Sequence, residues 1–162
     1  MDQIEQHERT VRAFMAKKPF MRRDLSKDEI ELFCAALTHD SFTDEATKLH
    51  PPRKVESYER LEFLGDAVVE LLACEHVYVD TDFAEGRMTD YKQEIVANGG
   101  ISKKVIRYGL DIDSAMLVGH GLRGPGGISE KMRADAFEAI IGSIYVLYGL
   151  EEARRIVKEV LF

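Results

Sequence analysis

Apolar residues recur along the chain at spacings of three and four, and no stretch of about four to eight residues alternates strictly between apolar and polar. This pattern predicts an all-α chain. Ile4, Val11 and Phe14 mark a first helix that stops before Pro19. Ser26 followed by Glu29 forms a capping-box signal for a second, carrying Ile30, Phe33, Ala36 and Leu37. A polar segment from Thr38 to Arg53, with Pro51 and Pro52, reads as irregular. From Val55 to Val79 a long helix shows Leu61, Leu64, Val68, Leu71 and Leu72 as one stripe, which casts it as the central buried helix. Met88 to Ala97 and Ile101 to Tyr108 read as shorter helices split at Gly99 and Gly100. The glycine-rich segment from Gly119 to Gly127 reads as a loop. Ser129 caps a helix that runs to Tyr148, and a terminal helix follows Gly149.

With 162 residues, 45% of them hydrophobic and 31% charged, the chain can bury one core, which excludes disorder and a disulfide scaffold. Two cysteines, Cys34 and Cys74, lie in apolar stretches and are expected as buried free thiols in a reducing, cytoplasmic setting. The longest nearly apolar run, Ala139 to Leu150, is shorter than the roughly 20 residues that span a bilayer, so no membrane partner is expected. A net charge of −7 argues against whole-molecule attraction to nucleic acid and leaves only a local basic strip for that task.

The chemistry is carried by acids on two helices. Glu59, Glu62 and Asp66 stand at i, i+3 and i+7 and fall within a sector of roughly 60° on a helix. Asp135 and Glu138 repeat an i, i+3 pair inside the apolar run around Phe137. Packed together, the two helices would gather four or five carboxylates. Oxygen-only ligands at that density suit a hard divalent cation such as Mg²⁺ or Mn²⁺ and hence phosphoester chemistry. The plainer reading is that these acids are solvated or paired with Arg60 and Arg133. Spacing alone does not choose between the two.

The run Tyr58-Glu59-Arg60-Leu61-Glu62-Phe63-Leu64-Gly65-Asp66-Ala67-Val68 resembles the signature of the ribonuclease III endonuclease domain. Ala36 to Phe42, Glu85 to Thr89 and Lys131 to Tyr145 resemble three further motifs of that family, in order and at similar spacing. The resemblance covers nearly the whole chain. It implies the family's all-α endonuclease fold over residues 1–162 and a symmetric homodimer. Common bacterial members append a double-stranded-RNA-binding domain, which residues 1–162 do not include, so a domain-only member or a piece of a longer chain is expected. Phe63 and Leu64 would lie at the core of that interface. It implies Glu62, Asp66, Asp135 and Glu138 as catalytic, metal-binding carboxylates, with Mg²⁺ as cofactor and Mn²⁺ as a substitute. Glu59, Glu85, Lys131 and Asn98 are accessory candidates.

The family's reaction is hydrolysis of double-stranded RNA by a metal-activated water, giving 5′-phosphate and 3′-hydroxyl ends with a short 3′ overhang. The corresponding role is ribosomal or precursor-RNA processing. RNA affinity would rest on Lys17, Lys18, Arg22, Arg23, Lys103, Lys104 and Arg107. His39 reads as a structural histidine near a helix end, Tyr145 and Tyr148 as core, and Arg123 as a loop residue within reach of phosphate. Two other functions stand beside the nuclease. An all-α nucleotide pyrophosphatase also pairs Glu-x-x-Glu with a second acidic pair, but the continuation from Phe63 to Ala67 favours the ribonuclease. A catalytically inactive ribonuclease-III-like RNA-binding or ribosomal module would be expected to lose carboxylates that are all present here.

Overall fold

A computed structural model describes residues 2–162, which form nine α-helices and no strand. Helix α1 (Gln3–Met15) starts where the Asp2 carboxylate accepts from the Glu5 amide at 2.8 Å, and it buries Val11, Phe14 and Met15. Helix α2 (Lys27–Ala36) opens on the expected capping box: the Ser26 hydroxyl accepts from Glu29 N, and the Glu29 carboxylate accepts from Ser26 N at 2.7 Å.

The polar segment holds an unexpected helix, α3 (Asp40–Ala46). Its cap is the His39 ring, which accepts from Ser41 N at 3.1 Å, and its buried face is only Phe42 and Ala46. One apolar pair and a histidine cap leave little periodic signal. A second short helix, α7 (Ile112–Ala115), is a single turn capped by Asp111 with one buried apolar pair, too short to show a period.

The long helix is α4 (Glu59–Asp80), followed by α5 (Glu85–Val96), α6 (Asn98–Tyr108), α8 (Glu130–Tyr148) and α9 (Leu150–Leu161). The break between α5 and α6 falls at Ala97, and Gly99 and Gly100 sit in the first turn of α6. Gly100 is needed there because a Cβ would lie 2.2 Å from the Glu94 carbonyl oxygen. Gly149, at φ 91°, ends α8 in a conformation that other residues rarely adopt.

The central buried helix is α8, not α4. Every residue from Ala134 to Ile144 is buried, and Phe137, Ile140, Ile141 and Ile144 are fully enclosed. Each such side chain stabilises the fold by about 1.5–3 kcal/mol relative to exposure. Helix α4 packs along α8 more extensively than any other pair in the fold, and α2, α6 and α9 complete the jacket. Because α4 is peripheral, its buried stripe is Gly65, Val68, Val69, Leu72, Ala73 and Val77, while Leu71 is exposed. Cys74 is likewise exposed and only Cys34 is partly enclosed, against the expectation of two buried thiols. Tyr145 is exposed, and Tyr148 is partly enclosed, with its hydroxyl donating to Glu29 at 2.6 Å. No helix of the described residues is long and apolar enough to cross a membrane.

Candidate active site

The site is made by a close helix crossing. A Cβ on Gly65 would lie 1.7 Å from the Glu138 carbonyl oxygen, and one on Gly142 would lie 2.4 Å from the Leu61 carbonyl oxygen. Only hydrogen fits at either position, so the α4 and α8 backbones touch. Glu62 is three residues before Gly65, and Glu138 and Asp135 are four and seven before Gly142. Helical spacing therefore stacks all three acids beside the contact. Carboxylate oxygens of Glu62, Asp135 and Glu138 lie within 4.8 Å of one another. Asp135 is 5% exposed and Glu138 4% exposed, while Glu62 is half-buried.

Asp66 stands outside this tight set, exposed on the next turn of α4, yet near enough for its charge to act on both Glu62 and Glu138. The cation closest to the group is Lys131, whose ammonium donates to Asp135 Oδ2 at 2.6 Å. Arg133 does not neutralise the cluster. Its guanidinium forms a fork to Asp113 at 2.7 and 2.6 Å and donates to the Ser102 hydroxyl at 2.8 Å. Arg60 is exposed and makes no ion pair among the described residues.

The electrostatic result is an excess of negative charge held out of water. Burial first, and then the charges of Asp66, Asp135 and Glu62, push the Glu138 carboxyl up to about 8 from an ordinary 4.5. Burial and Asp135 likewise raise Glu62. Three carboxylates within 4.8 Å of one another, with Lys131 the one cation paired to them among the described residues, could hold a hard divalent cation that keeps several waters.

Tyr58 belongs to this site although the pattern analysis passed it over. Its ring is buried, its amide donates to the Thr38 carbonyl at 2.9 Å, and its phenol lies beside Asp135. Burial, with Asp135 next, raises that phenol far above the ordinary range, so it stays protonated and can donate to the carboxylate. The clue available in sequence was an amphipathic ring just ahead of an acidic helix.

Glu59 sits on the exposed edge of α4, where Ser57 Oγ donates to it at 3.3 Å, and its charge raises Glu62. Glu85 and Asn98 are exposed first residues of α5 and α6 and are not among the converging ligands. His39 caps α3, as expected of a structural histidine. Arg123 is held by Glu45 at 3.6 Å and by the Val118 carbonyl at 3.4 Å.

Two of the expected RNA-binding cations are committed elsewhere. The Arg22 guanidinium lies 3.7 Å over the Tyr148 ring and pairs with Glu152 at 3.2 Å, and the Lys104 ammonium donates to the Leu161 carbonyl. A sequence does not show which basic side chains fold back to tie helix ends. Lys17, Lys18, Arg23, Lys103 and Arg107 remain exposed.

The family model described as Ribonuclease-III-like matches residues 29–162. Ribonuclease 3 of Bifidobacterium longum is 34% identical over 133 residues, covering 81% of this chain and 52% of its own. Ribonuclease 3 of Desulforamulus reducens is 38% identical over 128 residues, covering 78% and 50% respectively. The chain thus spans about half the length of these curated relatives. Among solved structures, the nuclease domain of ribonuclease III from Campylobacter jejuni superposes with a TM-score of 0.70 at 28% identity, covering 98% of this chain and 96% of that one.

Proposed function

Because the chain belongs to the ribonuclease-III-like family, we propose that it is a divalent-metal-dependent endoribonuclease that hydrolyses double-stranded RNA. One observation carries this reading: two helices in glycine-to-backbone contact converge Glu62, Asp135 and Glu138 within 4.8 Å, with one ammonium beside them. Glu62, Asp66, Asp135 and Glu138 would hold the cation, with Mg²⁺ the natural ion and Mn²⁺ a substitute. When bound, that ion neutralises charge on a phosphodiester and lowers the pKa of a coordinated water.

The chain's own residues prepare the site. Burial and the neighbouring acids favour the protonated form of Glu138, which would release that proton on holding a cation. Lys131 donates to one oxygen of Asp135 and the Tyr58 phenol lies beside the same carboxylate, so the two would hold it in place beside Glu62 and Glu138. Glu59, Glu85 and Asn98 are proposed as accessory groups, with Lys17, Lys18, Arg23, Lys103 and Arg107 as phosphate contacts. The products proposed are 5′-phosphate and 3′-hydroxyl ends with a short 3′ overhang, arising in ribosomal or precursor-RNA processing in the cytoplasm.

A staggered double cut needs two such clusters, so the reading includes a symmetric homodimer. Phe63, 82% exposed on α4, and the exposed Leu71 and Tyr78 farther along it offer an apolar face for a second copy. The Campylobacter domain is described as having a region involved in dimer formation.

The test incubates the purified chain at low salt with an end-labelled RNA duplex, with Mg²⁺ or with excess chelator, and reads product ends on a sequencing gel. Mg²⁺-dependent staggered cuts with 5′-phosphates are expected. Binding without cleavage under every metal condition would move the assignment to an inactive RNA-binding module.

A further inference from the structure

The cleft between α5 and α6 carries a surface that the acidic site does not use. Arg87, Tyr91 and Glu94 share one face of α5 by their spacing of four and three, and Lys103 and Arg107 stand four apart on α6. Tyr91, Glu94, Lys103 and Arg107 line an open cleft of about 290 Å³ between the two helices. The array extends outward along α5. The Phe83 ring meets Tyr91 edge-on at 5.9 Å, and the Arg87 guanidinium lies 3.8 Å over the Phe83 ring.

In a chain of net charge −7, none of the ion pairs among the described residues engages Arg87, Lys103 or Arg107. Elsewhere the guanidinium groups of Arg133, Arg154 and Arg155 are each taken by carboxylates. Stacking holds Arg87 extended at little further entropic cost, with its N–H groups still open to an acceptor.

We propose that Arg87, Phe83, Tyr91, Lys103 and Arg107 form a second contact surface for the ribose–phosphate backbone of duplex RNA, apart from the acidic site. This rests on the endoribonuclease reading and names where the duplex is held besides the reacting phosphodiester. Arg87, held by the Phe83 ring, and Lys103 and Arg107, four residues apart on α6, set cations along this surface that match the regularly spaced phosphates of a duplex backbone. The cations supply counterion release, and Phe83 and Tyr91 support the α5 side of the surface without reading bases. Glu94 is the opposing charge in the cleft, which gives the proposal a sign as well as a magnitude.

The test measures anisotropy of a fluorescein-labelled RNA duplex with the full 162-residue chain, across a salt series, in chelator so that no cleavage consumes the probe. The Lys103→Ala/Arg107→Ala double variant should weaken binding at least about tenfold and reduce the slope of log affinity against log salt by about two. Arg87→Ala should weaken binding about threefold with a smaller change in slope. Glu94→Gln should tighten binding about threefold, since it removes a like charge from a phosphate-lined cleft. All of these positions are exposed, and unchanged circular-dichroism melting confirms that each variant folds. Unchanged affinity and slope in the double variant, with the loss appearing instead in Lys17→Ala/Lys18→Ala, would overturn the proposal and leave the endoribonuclease reading intact. Failure of the unsubstituted chain to bind or cut any duplex would overturn both.

Discussion

Glu62 and Glu75 stand on the same helix, α4, yet the protein drives their carboxyl groups in opposite directions. Glu75 receives both arms of the Arg154 guanidinium, at 2.7 and 3.0 Å, and that hydrogen-bonded pairing holds its carboxyl below the ordinary range. Glu62, three turns earlier and half-buried, faces Asp135, Asp66 and Glu59, and burial among those charges raises it. One end of α4 is electrostatically settled within the chain. The other end is arranged at a cost, with more carboxylates brought together than Lys131 alone can balance. Residue type does not separate the two ends of this helix; uncompensated burial does.

The comparison breaks first at the crossing itself. Gly65→Ala would force a methyl group against the Glu138 carbonyl, with no flexible side chain to yield, and should cost about 3 kcal/mol of stability, at the upper end of overpacking effects. Urea denaturation reads this directly, and cleavage should fall with it because the same contact sets the spacing of Glu62 from Glu138. An alanine variant of ordinary stability would mean that the helices do not touch there.

Next in size is Glu138→Gln. Loss of a group that merely supports a metal ligand already costs about 10–100-fold, so removing the most enclosed carboxylate of the set should reduce Mg²⁺-dependent cleavage by more than about 10²-fold. Melting of the metal-free protein should be preserved near neutral pH, where Glu138 is held protonated and the amide matches its neutral form, and raised above about pH 8, where the substitution removes a buried charge. Undiminished turnover would take Glu138 out of the site.

A third experiment follows stability against pH. With its carboxyl raised to about 8 in the native state, Glu138 binds a proton there that the unfolded chain has released above an ordinary 4.5. Its contribution is full below pH 4.5 and is lost as pH rises to about 8. His7, enclosed and bonded to the Ala115 carbonyl at 3.1 Å, acts in the other sense. Burial lowers it from 6.5 to about 4, so its contribution is complete above pH 6.5 and fades below. Between pH 6.5 and 8, melting in chelator should therefore decline with pH, and Mg²⁺ should restore more stability at pH 8 than at pH 6.5. A flat profile, or a cation effect independent of pH, would show that Glu138 is not forced to hold its proton.

The smallest effect belongs to the settled end of α4. Arg154→Ala removes the fork to Glu75 at an exposed site and should leave cleavage unchanged and melting almost so. A steep loss of cleavage would mean that the two ends of α4 are coupled.

How much of this was readable beforehand can be followed residue by residue. The capping box at Ser26 and Glu29, the Ser129 cap and the Gly149 break are local devices, complete within about four residues, and they appear where the sequence put them. Glu62, Asp66, Asp135 and Glu138 were legible as two acidic pairs on helix faces, because helical spacing fixes which neighbours share a face. Helix α3 was not, since a histidine cap and one apolar pair leave no period to detect. Arg22 and Lys104 read as free cations and turned out to hold Tyr148, Glu152 and the Leu161 carbonyl. Their partners are far away in sequence.

The sequence by itself determined the longer helices and the pairing of acids on them, because each depends on neighbours within one or two turns. Only the tertiary structure decided that α8 and not α4 is the buried axis, and that Tyr58 lies beside Asp135. It also decided that Asp66 stands outside the set that Glu62, Asp135 and Glu138 complete. Those facts depend on how closely two helices approach and at what rotation, and on this chain that is set where Gly65 meets the backbone of Glu138.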